Sequence, residues 1–88
     1  YTPKEKKIIF RDYSMPKILK HLGMKPEECS LTDTAIDRII EHFHNAPGCR
    51  DLEQAAEHLA AHALYEIEAT GKKTIRFNEG QVTRILGL

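Results

Sequence analysis

The stretch Leu52-Glu53-Gln54-Ala55-Ala56-Glu57-His58-Leu59-Ala60-Ala61-His62-Ala63-Leu64-Tyr65-Glu66-Ile67 decides how this chain folds. Its apolar residues Leu52, Ala55, Ala56, Leu59, Ala60, Ala63 and Ile67 recur at helical spacing, which predicts one long helix with a single apolar face. Most of that face is alanine, so neighbouring helices can approach it closely. Asp51 or a neighbour is the expected cap, and Gly71 the expected stop.

Working outward, Asn45-Ala46-Pro47-Gly48 reads as a loop ahead of that helix. Before the loop, Ile36, Ile39, Ile40 and Phe43 form an i, i+3, i+4, i+7 stripe, and Thr32 or Asp33 is the expected cap. After Gly71, Lys73-Thr74-Ile75-Arg76-Phe77 alternates with period two and reads as a strand. Asn78 is expected to cap a last short helix carrying Val82, Ile85 and Leu86, with Gly87 after it.

At the other end, Thr2-Pro3-Lys4-Glu5 is a helix start, with Pro3 at the first helical position and Glu5 where a capping box needs an acid. Ile8, Ile9 and Tyr13 are its expected apolar positions, and Phe10 fits the stripe less well. Pro16 has no N–H to donate, so residues 3–15 and 16–22 are expected as one helix broken there. Gly23 is its expected stop. Residues 24–30 read as a loop, with a very short strand at Ser30-Leu31. Two helices separate the two strands, long enough for a parallel pairing. The expected class is mainly α: four helices with two short strands.

The 88 residues allow one domain, 1–88, and exclude a complete P-loop ATPase or a two-domain enzyme. Apolar residues are 41% and formal net charge is zero, so the chain is expected to fold. No apolar run approaches the roughly 18–20 residues of a membrane span, and Tyr1-Thr2-Pro3-Lys4 does not open a signal peptide. The first residue is not Met, so a fragment of a longer chain is expected. Cys29 and Cys49 are expected as free thiols in a reducing compartment, one bridge being the alternative.

The charge is unevenly placed. Residues 1–25 hold seven Lys or Arg against two acids, 26–70 hold two against ten, and 71–88 hold four against one. That pattern fits solvated helix faces of opposite sign, or a basic surface for an anionic partner.

Chemistry-bearing motifs are few. There is no G-x-x-x-x-G-K-[ST] and no G-x-S-x-G. His58 and His62 share one helix face at a spacing that can ligate zinc, but H-E-x-x-H is absent, and polar surface positions are the plainer reading. His42 and His44 point to different faces. Cys49 beside Arg50 is either a thiol activated by a cation or a small half-buried residue. Arg50 stands out. A cation at a helix start opposes the dipole unless an anion joins it, and helix starts with arginine suit phosphate. An ion pair with Asp51, Glu53 or an acid elsewhere is the alternative.

Three stretches together resemble a known family. Tyr1-Thr2-Pro3-Lys4-Glu5-Lys6 with Ile9 and Pro16, Leu31-Thr32-Asp33-Thr34-Ala35-Ile36, and Phe43 through Gln54 with Gly48-Cys49-Arg50-Asp51-Leu52-Glu53 are similar to segments of the small α-helical subdomain that closes the AAA+ ATPase module of Lon proteases. Ile75-Arg76-Phe77-Asn78 and Ile85-Leu86-Gly87 also fit. The match covers nearly the whole chain, and the G-x-R-x-L-E element is its most specific part.

The resemblance implies a lid of four helices and two short parallel strands. It implies that Arg50 is the sensor-2 arginine, reaching the nucleotide phosphates, that Tyr1 and Ile9 lie beside the adenine, and that Cys49 lies at the pocket edge. The implied cofactor is ATP or ADP with Mg²⁺, whose metal ligands lie elsewhere. Implied partners are the AAA+ large domain and the protease domain of the same chain, a homo-hexamer, protein substrates and, for some members, DNA, with no membrane. The implied place is the bacterial cytoplasm or the mitochondrial matrix. The isolated domain is not expected to be catalytic, the Ser–Lys dyad of this ATP-dependent serine protease family lying outside it. This chain departs from the family pattern at Ala46-Pro47-Gly48, Cys49, Gln54 and Tyr13, as a divergent or Lon-like member would.

Two other function classes remain on the residues alone: a helical DNA-binding module using the basic first segment, and a purely structural interaction domain. DNA binding through phosphates would be strongest at low salt and fall steeply as salt rises. A titration showing no binding at low salt excludes it.

Overall fold

The computed structural model describes residues 2–43 and 50–88; Tyr1 and residues 44–49 lie outside the described residues. The chain runs through α1 (Pro3–Ile9), a π-helical segment (Phe10–Ser14), α2 (Met15–His21), a 3-10 turn (Pro26–Glu28), β1 (Cys29–Leu31), α3 (Asp33–His42), α4 (Arg50–Thr70), β2 (Ile75–Phe77) and α5 (Glu79–Leu86). Because α1, the π segment and α2 join into one run, the helices number four among the described residues. The expected class, mainly helical with two short parallel strands, is the observed one.

The run through Pro16 is not broken. Residues 9, 10, 14 and 15 keep right-handed helical dihedrals, and the Met15 N–H bonds the Phe10 carbonyl five residues back. A proline cannot donate and crowds the carbonyl four residues before it. Widening the helix to i→i+5 bonding relieves that conflict without a break. The buried face also differs from the expected one. Phe10 is 0% exposed, whereas Ile8 is 40% and Tyr13 67% exposed. The expected apolar stripe through Ile8 and Tyr13 is therefore corrected to a face of Lys6, Phe10, Ser14, Met15, Ile18 and Leu19.

Local chemistry sets the ends of the elements. The Glu5 N–H donates to Thr2 Oγ1 at 3.1 Å, and the Thr2 N–H to Glu5 Oε1 at 3.2 Å. This is the expected capping box. Gly23 ends the first run at φ +75°, with its N–H on the Lys20 carbonyl and the Met24 N–H on the Leu19 carbonyl. That pattern is a Schellman stop, and glycine accepts its left-handed backbone. Thr32 rather than Asp33 caps α3, its Oγ1 accepting from the Ala35 N–H. Asn78 caps α5 through a reciprocal pair with Gln81. Asp51 lies inside α4, which already includes Arg50.

The strands pair in parallel with Cys29 opposite Ile75, Ser30 opposite Arg76 and Leu31 opposite Phe77. The first begins one residue earlier than Ser30, and the second is shorter than 73–77. The Thr32 N–H extends the ladder to the Phe77 carbonyl at 3.0 Å. Thr32 thus joins the sheet with its backbone and caps α3 with its side chain.

One buried cluster unites the elements. Phe10, Met15, Ile18 and Leu19 meet Leu52, Ala55, Ala56, Leu59, Ala60 and Ala63 of α4, and the cluster also takes in Met24, Cys29, Ala35, Ile36, Ile39, Ile40, Ile75, Phe77 and Val82. Helix α4 packs against α2, the π segment, α3, α5 and β2. Substituting Leu59→Ala should cost about 2–5 kcal/mol. Thr32→Ala should cost about 1 kcal/mol, and Tyr65→Ala, on the exposed face, less than about 0.5 kcal/mol. Urea unfolding midpoints measure all three.

Candidate functional site

Arg50 is the first residue of α4, a helix of 21 residues, and its side chain is exposed. Asp51 and Glu53 share its first turn, where carboxylates complement the helix dipole. Neither neutralises Arg50. Among the described residues it has no ion-pair partner within 4.0 Å, and Glu53 is instead 3.7 Å from Lys17 Nζ. The alternative reading of Arg50 as an ion-paired surface residue therefore has no support among the described residues. That Lys17–Glu53 pair is exposed, worth at most about 1 kcal/mol, and ties α2 to the first turn of α4.

Ile9 ends α1 and is half-buried. Beside it in the chain, Arg11 is occupied by Asp12, with Nε 3.0 Å from Oδ1. Tyr1 and Cys49, the other two expected site residues, lie outside the described residues. One cleft runs between α1 and α3, lined by Pro3, Lys4, Lys7, Asp37, Ile40 and Glu41, with a Lys7–Asp37 pair at 2.9 Å across it. A second, of about 210 Å³, lies between Phe10, Met15, Leu19, Leu31 and Ile36, with Arg11 and Asp33 at its rim. Neither is lined by Ile9 or Arg50.

His42 and His62 find plain partners. His62 Nε2 lies 3.1 Å from Glu66 Oε1 and its ring is 5.9 Å from that of Phe77. The ring of His42 meets Phe43 edge-on at 4.7 Å. Among the described residues no three potential metal ligands converge.

Lys6 was not singled out by its sequence position, yet it is 2% exposed. Its Nζ donates to the Phe43 carbonyl at 3.1 Å, at the C-terminal end of α3. Its i, i+4 spacing to Phe10 was the available signal, and a lysine at such a position is normally read as solvated. The first helical run thus makes two lysine contacts beyond itself, one at Phe43 and one at Glu53.

Comparison with known proteins fits this architecture. No family model matches the chain. The chain is 36% identical over 87 residues to Lon protease 2 of Thermus thermophilus, covering 99% of this chain. It is 38% identical over 88 residues to a Lon protease of Fervidobacterium nodosum, again 99% of this chain. It is 33% identical over 88 residues to a Lon protease of Brucella abortus, along its whole length. A small, mainly helical unit with a parallel strand pair, similar from end to end to one family, is a module of that family. These 88 residues are a Lon protease-derived domain. They span 11% of the length of these relatives.

Cys29 is a free thiol, 4% exposed, and burial pushes it up from an ordinary 9.0 to about 11. The unfolded chain then releases this proton before the folded one does, so the folded state is favoured below pH 9 and loses that advantage as pH rises towards about 11. Alkaline destabilisation in that window should shrink in Cys29→Ala, followed by urea midpoints against pH. Native Cys29 should resist a maleimide at neutral pH and react on unfolding.

Proposed function

We propose that this domain, residues 1–88 as one unit, is the small helical lid of the AAA+ ATPase module in a Lon-type ATP-dependent serine protease. Similarity to Lon proteases along the whole chain is the observation that carries this reading. The chemistry of the donors fits the phosphates of a nucleotide. An exposed guanidinium without an ion-pair partner among the described residues sits at a helix N-terminus, where backbone N–H groups also favour anions. Its planar fork suits phosphate oxygens better than a lysine would. Ile9 offers part of an apolar wall, and Tyr1 and Cys49, outside the described residues, are proposed to complete it.

ATP, with Mg²⁺ held by the rest of the protein, supplies the phosphate charge that changes on hydrolysis. The part played by this chain is mechanical. Arg50 presents its guanidinium from the end of α4, and α4 is packed against five other elements, so a pull on Arg50 moves the domain as a body. Reorientation of one domain about a shared ligand is how such closure drives work. In the intact protein that work would unfold protein substrates and feed them to the protease domain. The large domain of the same chain and neighbouring copies in a homo-hexamer are the proposed partners, and the bacterial cytoplasm the proposed place.

Replacing Arg50 with Ala in the intact protein tests the reading. Hydrogen bonds to a charged group contribute about 1.5–3 kcal/mol, so nucleotide affinity should fall roughly 10- to 100-fold. ATP turnover and ATP-driven proteolysis should fall with it. Unchanged affinity and turnover would remove Arg50 from the site and leave the domain a structural one.

A further inference from the structure

Helix α1 differs from the other helices in what holds it. Its one buried residue is Lys6. Among the described residues, none of its apolar side chains belongs to the buried cluster, which begins at Phe10 in the π segment. Outside its own helical run, α1 packs mainly on α3. The links between the two are cationic. Lys6 Nζ donates to the carbonyl of Phe43 at 3.1 Å, across 37 positions of sequence. Phe43 ends α3. The last carbonyls of a helix have no donor within it, and the negative end of its dipole favours a cation. Lys7 Nζ lies 2.9 Å from Asp37 Oδ1.

Charges along this seam run in opposite order on the two helices. Lys4 and Glu41 line the cleft that the Lys7–Asp37 pair crosses. Further along, Arg11 and Asp33 line the second cleft. Asp12 chiefly, with Asp33 adding its charge, raises the pKa of Arg11. Cations at 4, 7 and 11 thus meet acids at 41, 37 and 33 in an antiparallel order. Beyond Phe10 the character of the contact changes, and Met15, Ile18 and Leu19 join the apolar core instead.

We propose that α1 is a latched arm: its docking on α3 is electrostatic, its hinge is the π segment, and it lifts from α3 while the core stays folded. Regular helical bonding gives way at the π segment, and such points are where helices bend. A helix of 7 residues does not persist alone in water, so lifting unwinds α1 and exposes its amides. Exposed ion pairs are individually weak and are screened by salt, whereas burial of α2 on α4 does not depend on charge. Under the lid reading Ile9 travels with α1; the latch itself does not rest on that reading.

Hydrogen exchange tests the latch, with the α4 amides at 56–64 as reference. Raising NaCl from about 0.1 M to about 1 M shortens the Debye length from about 10 Å to about 3 Å. Amides at 6–9 should then exchange about fivefold faster while 56–64 hold, the effect of about 1 kcal/mol. Lys7→Glu at the lower salt should do the same, and adding Asp37→Lys to it should return exchange to within about twofold of wild type. Lys6→Met, which takes the ammonium from the Phe43 carbonyl, should speed exchange at 6–9 about tenfold. Exchange at 6–9 that neither salt nor Lys6→Met changes overturns the proposal. So does acceleration of 56–64 by the same factor as 6–9 under any of these changes, since α1 then opens only with the whole domain.

Discussion

Close approach to one face of α4 is the constraint on which the rest of the structure depends. Ala55, Ala56, Ala60 and Ala63 lie on that face, and Leu52 and Leu59 fill the spaces between neighbours. Small side chains let helices pack at short separation, and a core at native density tolerates little added volume. The π segment, α2, α3, α5 and β2 all meet this helix. Two strands of three residues would not be stable alone. Here Cys29, Ile75 and Phe77 of the strands belong to the same buried cluster, and the pair survives as part of it.

The same constraint gives Arg50 its setting. It emerges at the end of a helix whose next turns are locked into the core, so its backbone has a rigid base. The first helical run reaches past that core at both flanks, to Phe43 and to Glu53. Helix α4 thus carries the packed core on one face and the exposed Arg50 at its first position.

Much of the fold was legible because its signals are local. The capping box of Thr2 and Glu5, the cap at Thr32 and the reciprocal Asn78–Gln81 pair each span three residues. Gly23 with Met24 closes the first run by bonds of similarly short range. The apolar stripe of the first run was misread because helical periodicity assumes a constant pitch. The π segment adds a residue to one turn and brings Met15, Ile18 and Leu19 onto the buried face of Lys6, Phe10 and Ser14, while Ile8 and Tyr13 face outward. Among the candidate residues, Arg50 was visible from its place at a helix start. Lys6 was not, since a lysine in sequence reads as solvated until something distant claims its ammonium.

By itself, the sequence determined that there are four helices and two strands, which residues form the α4 face, and that the chain is related to Lon proteases. Those properties rest on contacts a few residues apart, or on residue identity alone. Tertiary structure alone decided the strand register, the burial of Phe10 and the pairing of Lys6 with the Phe43 carbonyl. Each depends on groups far apart in the chain, and the free energy of such a contact exists only once the packed core has brought them within reach.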